Sequence, residues 1–106
     1  MEDEVIKIIK GTDLKLRLDI DIAPGISEYT FKIDAYTKSN NKIRIDGGDC
    51  YYVDGEQNAY FVPIVTSTLE PGTLILDIIL TVEDTTFEDL NRTEIYRKKT
   101  NIKIVL

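Results

Sequence analysis

Leu14, Leu16, Leu18, Ile20 and Ile22 alternate with Lys15, Arg17, Asp19 and Asp21, so an apolar residue follows every charged one. Leu74, Leu76, Ile78, Leu80 and Val82 repeat the pattern, with Ile75, Asp77, Ile79 and Thr81 between them. Successive strand side chains point to opposite faces, so a period of two buries one face and leaves the other to water or a partner. Both runs are long for strands, and a one-residue slip in the first would bury its charges. They predict antiparallel β-sheet with a strongly specified register.

Turn signals divide the rest of the chain into more short strands. Val5 to Ile9 reads as a first strand, broken by Lys10-Gly11-Thr12-Asp13 ahead of the long run Leu14 to Ile22. Ala23-Pro24-Gly25 is a turn signal, and Tyr29 to Tyr36 follows as a strand with Phe31, Ile33 and Ala35 on one face. Lys38-Ser39-Asn40-Asn41 joins it to Lys42 to Ile45 as a hairpin. Cys50 to Val53 and Ala59 to Val65 come next, and Pro63 marks an edge or bulge because it lacks a ladder donor. Leu69-Glu70-Pro71-Gly72 turns into the strand Thr73 to Val82, which Ile75 and Ile79 suggest is central and covered on both faces. A polar loop from Glu83 to Asn91 precedes a last pair, Glu94 to Lys98 and Asn101 to Leu106. Ile102 and Ile104 have one parity, Ile95 and Val105 the other, so a bulge is expected near Lys98-Lys99.

No apolar i, i+3, i+4 pattern lasts two turns, and only short turns are expected around Thr66 to Leu69 or Phe87 to Leu90. The fold class is therefore all-β: an antiparallel β-sandwich, immunoglobulin-like, of 7–9 strands, with a small closed barrel as the alternative. The 106 residues are expected to form a single sandwich domain, residues 1–106.

Charge and composition narrow the function. The formal net charge of −6 argues against nucleic acid, whose phosphates need a basic footprint. No stretch approaches a membrane span, and the acidic start Met1-Glu2-Asp3-Glu4 predicts no secretory signal. From Ile45 to Asn91 there is no Lys or Arg, while the basic residues lie in the first 44 positions and from Arg92 to Lys103. Such polarity is a solvated acidic surface, or a face that docks a basic patch on a neighbour; identical copies could do this head to tail.

Chemistry-bearing groups are sparse. The chain has no His, so it offers no imidazole base, no Ser-His-Asp triad and no His metal ligand. Cys50 is the only cysteine and is expected to be a buried, inert thiol. Asp46-Gly47-Gly48-Asp49 with Asp54-Gly55-Glu56 is the best cation candidate, with oxygen ligands that suit Ca²⁺, although Asp-Gly is also a common hairpin turn. The tyrosines, Tyr29, Tyr36, Tyr51, Tyr52, Tyr60 and Tyr96, are the best ligand-binding candidates. Of the adjacent Tyr51 and Tyr52, one is expected in the core and one outside. Asn91-Arg92-Thr93 matches a glycosylation sequon and reads as a loop. The expectation is a protein without catalytic, cofactor-binding or metal-binding residues.

The order of elements resembles a known family. Lys10-Gly11-Thr12-Asp13 leads into an alternating strand, then Tyr29 to Ala35, a polar hairpin at Ser39-Asn40-Asn41 and a second at Asp54-Gly55-Glu56. Thr66-Ser67-Thr68-Leu69-Glu70-Pro71-Gly72 then opens a long apolar strand, followed by a charged loop and a closing strand ending Ile102-Lys103-Ile104-Val105. This layout is similar to the immunoglobulin-like N-terminal domain of phage baseplate upper proteins and related tail modules. The resemblance implies a non-catalytic structural part of a phage or prophage virion, made in the cytoplasm, whose partners are further copies or other tail proteins. A carbohydrate-binding module of a bacterial surface system is the alternative.

Overall fold

The computed structural model describes residues 4–21 and 29–106. It contains eight strands: β1 (Ile6–Ile9), β2 (Asp13–Asp19), β3 (Tyr29–Tyr36), β4 (Ile43–Asp46), β5 (Tyr51–Tyr52), β6 (Ala59–Val65), β7 (Gly72–Glu83) and β8 (Asn91–Val105). They form a five-stranded sheet, β1-β8-β7-β3-β4, facing a three-stranded sheet, β2-β6-β5. The chain crosses between sheets at β1–β2, β2–β3, β4–β5 and β6–β7, so the two sheets form an all-β sandwich. The sheets are not wholly antiparallel, because β1 runs parallel to β8, with Ile6 opposite Ile102 and Ile9 opposite Val105.

The two alternating runs behave as their period requires. Leu18 is buried on β2 while Asp13, Lys15, Arg17 and Asp19 are exposed, and Leu74, Leu76, Ile78, Leu80 and Val82 are all buried on β7. Ile33, Val62, Ile64, Leu69, Leu74 and Ile104 are at most 1% exposed and draw both sheets into one core. The strand β2 ends at Asp19, short of the expected Ile22; Ile22 and the Ala23-Pro24-Gly25 turn lie outside the described residues. β7 is central, but its outer face is shielded by neighbouring side chains and not by a third layer, so Ile75 and Ile79 are half-buried.

Pro63 sits where β6 has one partner only. Lys15 pairs with it from β2, while β5 pairs with Tyr60 and Phe61 and stops. Gly47, in the 3-10 turn between β4 and β5, is required by close approach: a Cβ there would lie 2.7 Å from the Phe31 carbonyl oxygen.

The expected closing pair is one strand. β8 runs unbroken along β7 until its register shifts: Ile75 faces Lys99, but Thr73 faces Lys103. Two extra residues keep the parity, so Ile95 stays on the outer face and Ile102 and Ile104 stay inside. Thr100 holds the irregularity by donating its hydroxyl to the Leu74 carbonyl (2.8 Å) and accepting the Ile102 N–H (3.1 Å).

Candidate functional site

The β5–β6 hairpin and the β7–β8 loop lie at the same end of the sandwich, where β3 also begins. Between them opens a cleft of about 1030 Å³, lined by Tyr29, Tyr52, Asn58, Tyr60, Glu83 and Asp89 among others. Its floor is built by strand starts. Tyr29 is the first residue of β3, and Tyr60 follows Ala59 at the start of β6, so both rings reach the end of the core.

A directed hydrogen-bond chain fixes these groups. The Tyr29 hydroxyl donates to Asn58 Oδ1 at 2.7 Å and lies 2.7 Å from the Tyr60 hydroxyl. A phenol has one proton, so Tyr60 must donate to Tyr29 and Tyr29 to Asn58. Burial, followed by the Tyr29 contact, pushes the Tyr60 phenol well above the ordinary tyrosine range. Tyr60 also packs against Phe31 (ring centroids 4.6 Å) and Tyr52 (5.0 Å). Asn58 adopts φ 60°, a left-handed conformation that Asn tolerates, and turns the hairpin back into β6. Tyr52 is backed by Tyr60 yet 74% exposed, which makes it an anchored aromatic surface at the cleft mouth.

The β7–β8 wall is held by its own polar groups. Asp84 Oδ1 accepts the Thr86 N–H (3.0 Å) and hydroxyl (2.7 Å), while Asp84 Oδ2 accepts from Arg92 (2.6 Å). The two Thr86 bonds, then Arg92, hold the Asp84 carboxyl below its ordinary range. Arg92 also reaches Glu94 (2.9 Å), whose carboxyl is lowered first by the Tyr96 hydroxyl and then by Arg92. No Lys or Arg is among the residues lining the cleft, whereas Glu56, Glu83 and Asp89 all are.

The other candidates fall elsewhere. Tyr51 and Tyr52 are both exposed, because β5 is a two-residue edge strand and the expected burial of one of them has no covering layer. Tyr36 is buried on the opposite half of the molecule and donates to Asp77 Oδ2 at 3.1 Å. Cys50 is half-buried; its thiol donates to the Asp46 carbonyl at 3.7 Å, and burial raises its pKa. Gly47–Asp49 forms a 3-10 turn with Asp46 at its N-cap, and among the described residues no three acidic or Cys groups converge as a metal site, so the Ca²⁺ alternative gains no geometry. Asn91 of the sequon opens β8 and donates its side-chain amide to the Asp89 carbonyl (3.1 Å).

The polarity of the sequence becomes a polarity of ends. All four arginines are paired within the fold: Arg17 with Asp19 and Glu56, Arg44 with Asp34, Arg92 with Asp84 and Glu94, and Arg97 with Asp77. Among the described residues, Lys38 is the one lysine so paired, with Glu70 at 3.4 Å. Lys42, Lys98, Lys99, Lys103, Lys7 and Lys10 lie toward the end away from the cleft and have no carboxylate within 4.0 Å among the described residues. Sequence reasoning missed the Tyr29–Asn58–Tyr60 chain; its one signal was a tyrosine at the start of each of two strands that finish at the same end. Comparisons with protein-family models, with curated proteins and with solved structures each return no match to this chain.

Proposed function

We propose that this chain is a non-catalytic module that acts by protein–protein contact, as a structural component of a phage or prophage tail or baseplate. The observation that carries the contact reading is the loop-bearing end itself, where the exposed Tyr52 lines a cleft of about 1030 Å³ with Glu83 and Asp89, which make no ion pair among the described residues. Loops at one end of an immunoglobulin-like sandwich are a common place for recognition, because a rigid scaffold positions them. Aromatic anchors at the centre of such a surface supply contact area at low entropic cost. The order of elements from Lys10 to Val105, which resembles the baseplate family, supports the placement in a tail. Mass spectrometry of particles purified from cells carrying the gene tests it. Stoichiometric recovery in the particle supports the reading, and expression in the lysate without recovery in the particle overturns it.

The cleft also favours a second reading, a carbohydrate-binding module. An anchored Tyr52 ring beside the amides of Gln57 and Asn58 and the carboxylates of Glu83 and Asp89 offers a stacking surface and hydroxyl partners for a sugar. Glycan-array binding that Tyr52→Ala abolishes would establish it, and a silent array would remove it.

A further inference from the structure

We propose that copies of this chain associate head to tail, with the lysine end of one molecule docking in the tyrosine cleft of the next. The inference rests on the contact reading above and names the partner as a second copy. Strand register places the two surfaces at opposite ends of the molecule. Glu83 and Asn91 pair at the last rung beside the cleft, while Lys99 faces Ile75, Lys103 faces Thr73 and Lys7, and Lys10 donates its N–H to Val105 beyond them. The molecule is 47 Å long, so these charges are separated by several screening lengths.

Each end has what the other lacks. Among the described residues the lysines of the basic end have no carboxylate within 4.0 Å, apart from Lys38, which reaches Glu70 at 3.4 Å. The cleft holds Glu83 and Asp89 with no cation among its lining residues, and an exposed Tyr52 ring. Lysine over an aromatic ring is a contact this chain already makes twice, with Lys15 over Phe61 at 4.8 Å and Lys42 over Tyr36 at 4.9 Å. A lysine entering the cleft would make the same contact with Tyr52 while its ammonium faces the two carboxylates. Because the two surfaces lie at opposite ends of the molecule, a head-to-tail contact between them is heterologous and extends into a chain or closes as a ring.

Sedimentation velocity on the full chain tests this, with salt as the first lever. At about 0.01 M salt, where screening reaches about 30 Å, the average mass should rise with concentration; at about 1 M, where it falls to about 3 Å, it should return to the monomer. The double variants Lys98→Glu/Lys99→Glu and Glu83→Lys/Asp89→Lys should each be monomeric alone, with thermal melts like the wild type. Mixed in equal amounts they should associate again, because each retains the surface the other has lost. A wild type that stays monomeric at low salt overturns the proposal, as does a single variant that still associates or a mixture that does not. A monomer recovered in particles would sink this inference and leave the contact reading standing; self-association by a protein absent from particles would do the reverse for the tail placement.

Discussion

Asp34 on β3 lies directly opposite Asp77 on β7, and each carboxylate is gripped by its own arginine from the outer neighbour strand. Arg44 meets Asp34 at 2.6 and 2.9 Å, and Arg97 meets Asp77 at 2.8 and 3.2 Å, so a four-residue row crosses β8, β7, β3 and β4. Like charges facing across a ladder destabilise it, and these two carboxylates are largely buried. The flanking guanidiniums compensate by planar, two-point pairing, with the Tyr36 hydroxyl a further donor to Asp77.

This row should make the fold acid-sensitive. Hydrogen bonds from Arg44 and Arg97 are the largest causes that lower the Asp34 and Asp77 pKa values. A carboxyl lowered in the folded state contributes stability above its unfolded value, about 3.9, and loses it as pH falls through the folded value. Urea midpoints should therefore hold down to about pH 4 and fall below it. Asp77→Asn should flatten that decline, and an unchanged acid limb in the variant would show that other carboxylates carry it.

Thr66 links the two turns at the end away from the cleft. Its buried hydroxyl accepts the Gly11 N–H at 2.9 Å and donates to the Thr12 carbonyl at 2.8 Å. Thr66→Val keeps the shape and strands both backbone groups, at an expected cost of about 2 kcal/mol. Chemical denaturation measures the loss. Hydrogen exchange at Gly11 should accelerate in the variant more than exchange at core amides, and equal acceleration everywhere would deny the local tie.

Gly47 and Gly48 are neighbours that should respond unequally to Ala. A Cβ on Gly47 would lie 2.7 Å from the Phe31 carbonyl oxygen and 3.0 Å from its ring, whereas nothing lies within 4 Å of one on Gly48. The carbonyl belongs to the backbone of β3 and cannot swing aside. Gly47→Ala should cost about 1–3 kcal/mol, while Gly48→Ala should stay within about 0.5 kcal/mol. Equal melting points for the two variants would refute the close approach.

These contacts show what a reader of the sequence could and could not recover. The parity of Leu14, Leu16 and Leu18, and of Leu74 through Val82, survives folding because burial enforces it. Tyr51 and Tyr52 defeat the same logic, since the rule of opposite faces buries one only where a second layer covers the strand, and β5 is an uncovered edge. An irregularity in β8 was legible near Lys98-Lys99, but the change of face expected of it does not occur, because its excess is two residues and parity is kept, and residue counts opposite β7 depend on pairing. The charge split at Ile45 and Asn91 was visible as a list; its conversion into two ends follows from where each strand starts and stops. Tyr29 and Tyr60 are 31 residues apart, and nothing local predicts that their hydroxyls meet.

Their meeting has an alkaline signature. The folded state favours the neutral Tyr60 phenol, so its stabilising contribution is complete below the unfolded tyrosine value of about 10 and is lost as pH rises beyond it. Spectrophotometric titration of the native protein should show the Tyr60 phenol ionising later than a free tyrosine. Tyr60→Phe removes the donor at the head of the chain while Tyr29 still donates to Asn58, so the loss should be about 1 kcal/mol. One late-ionising phenol should be lost from the titration of that variant, leaving Tyr36 and Tyr96, whose pKa values burial and the Glu94 contact also raise. Persistence of the lost phenol would assign the shifted group to another tyrosine and break the hydrogen-bond direction argued for the cleft floor.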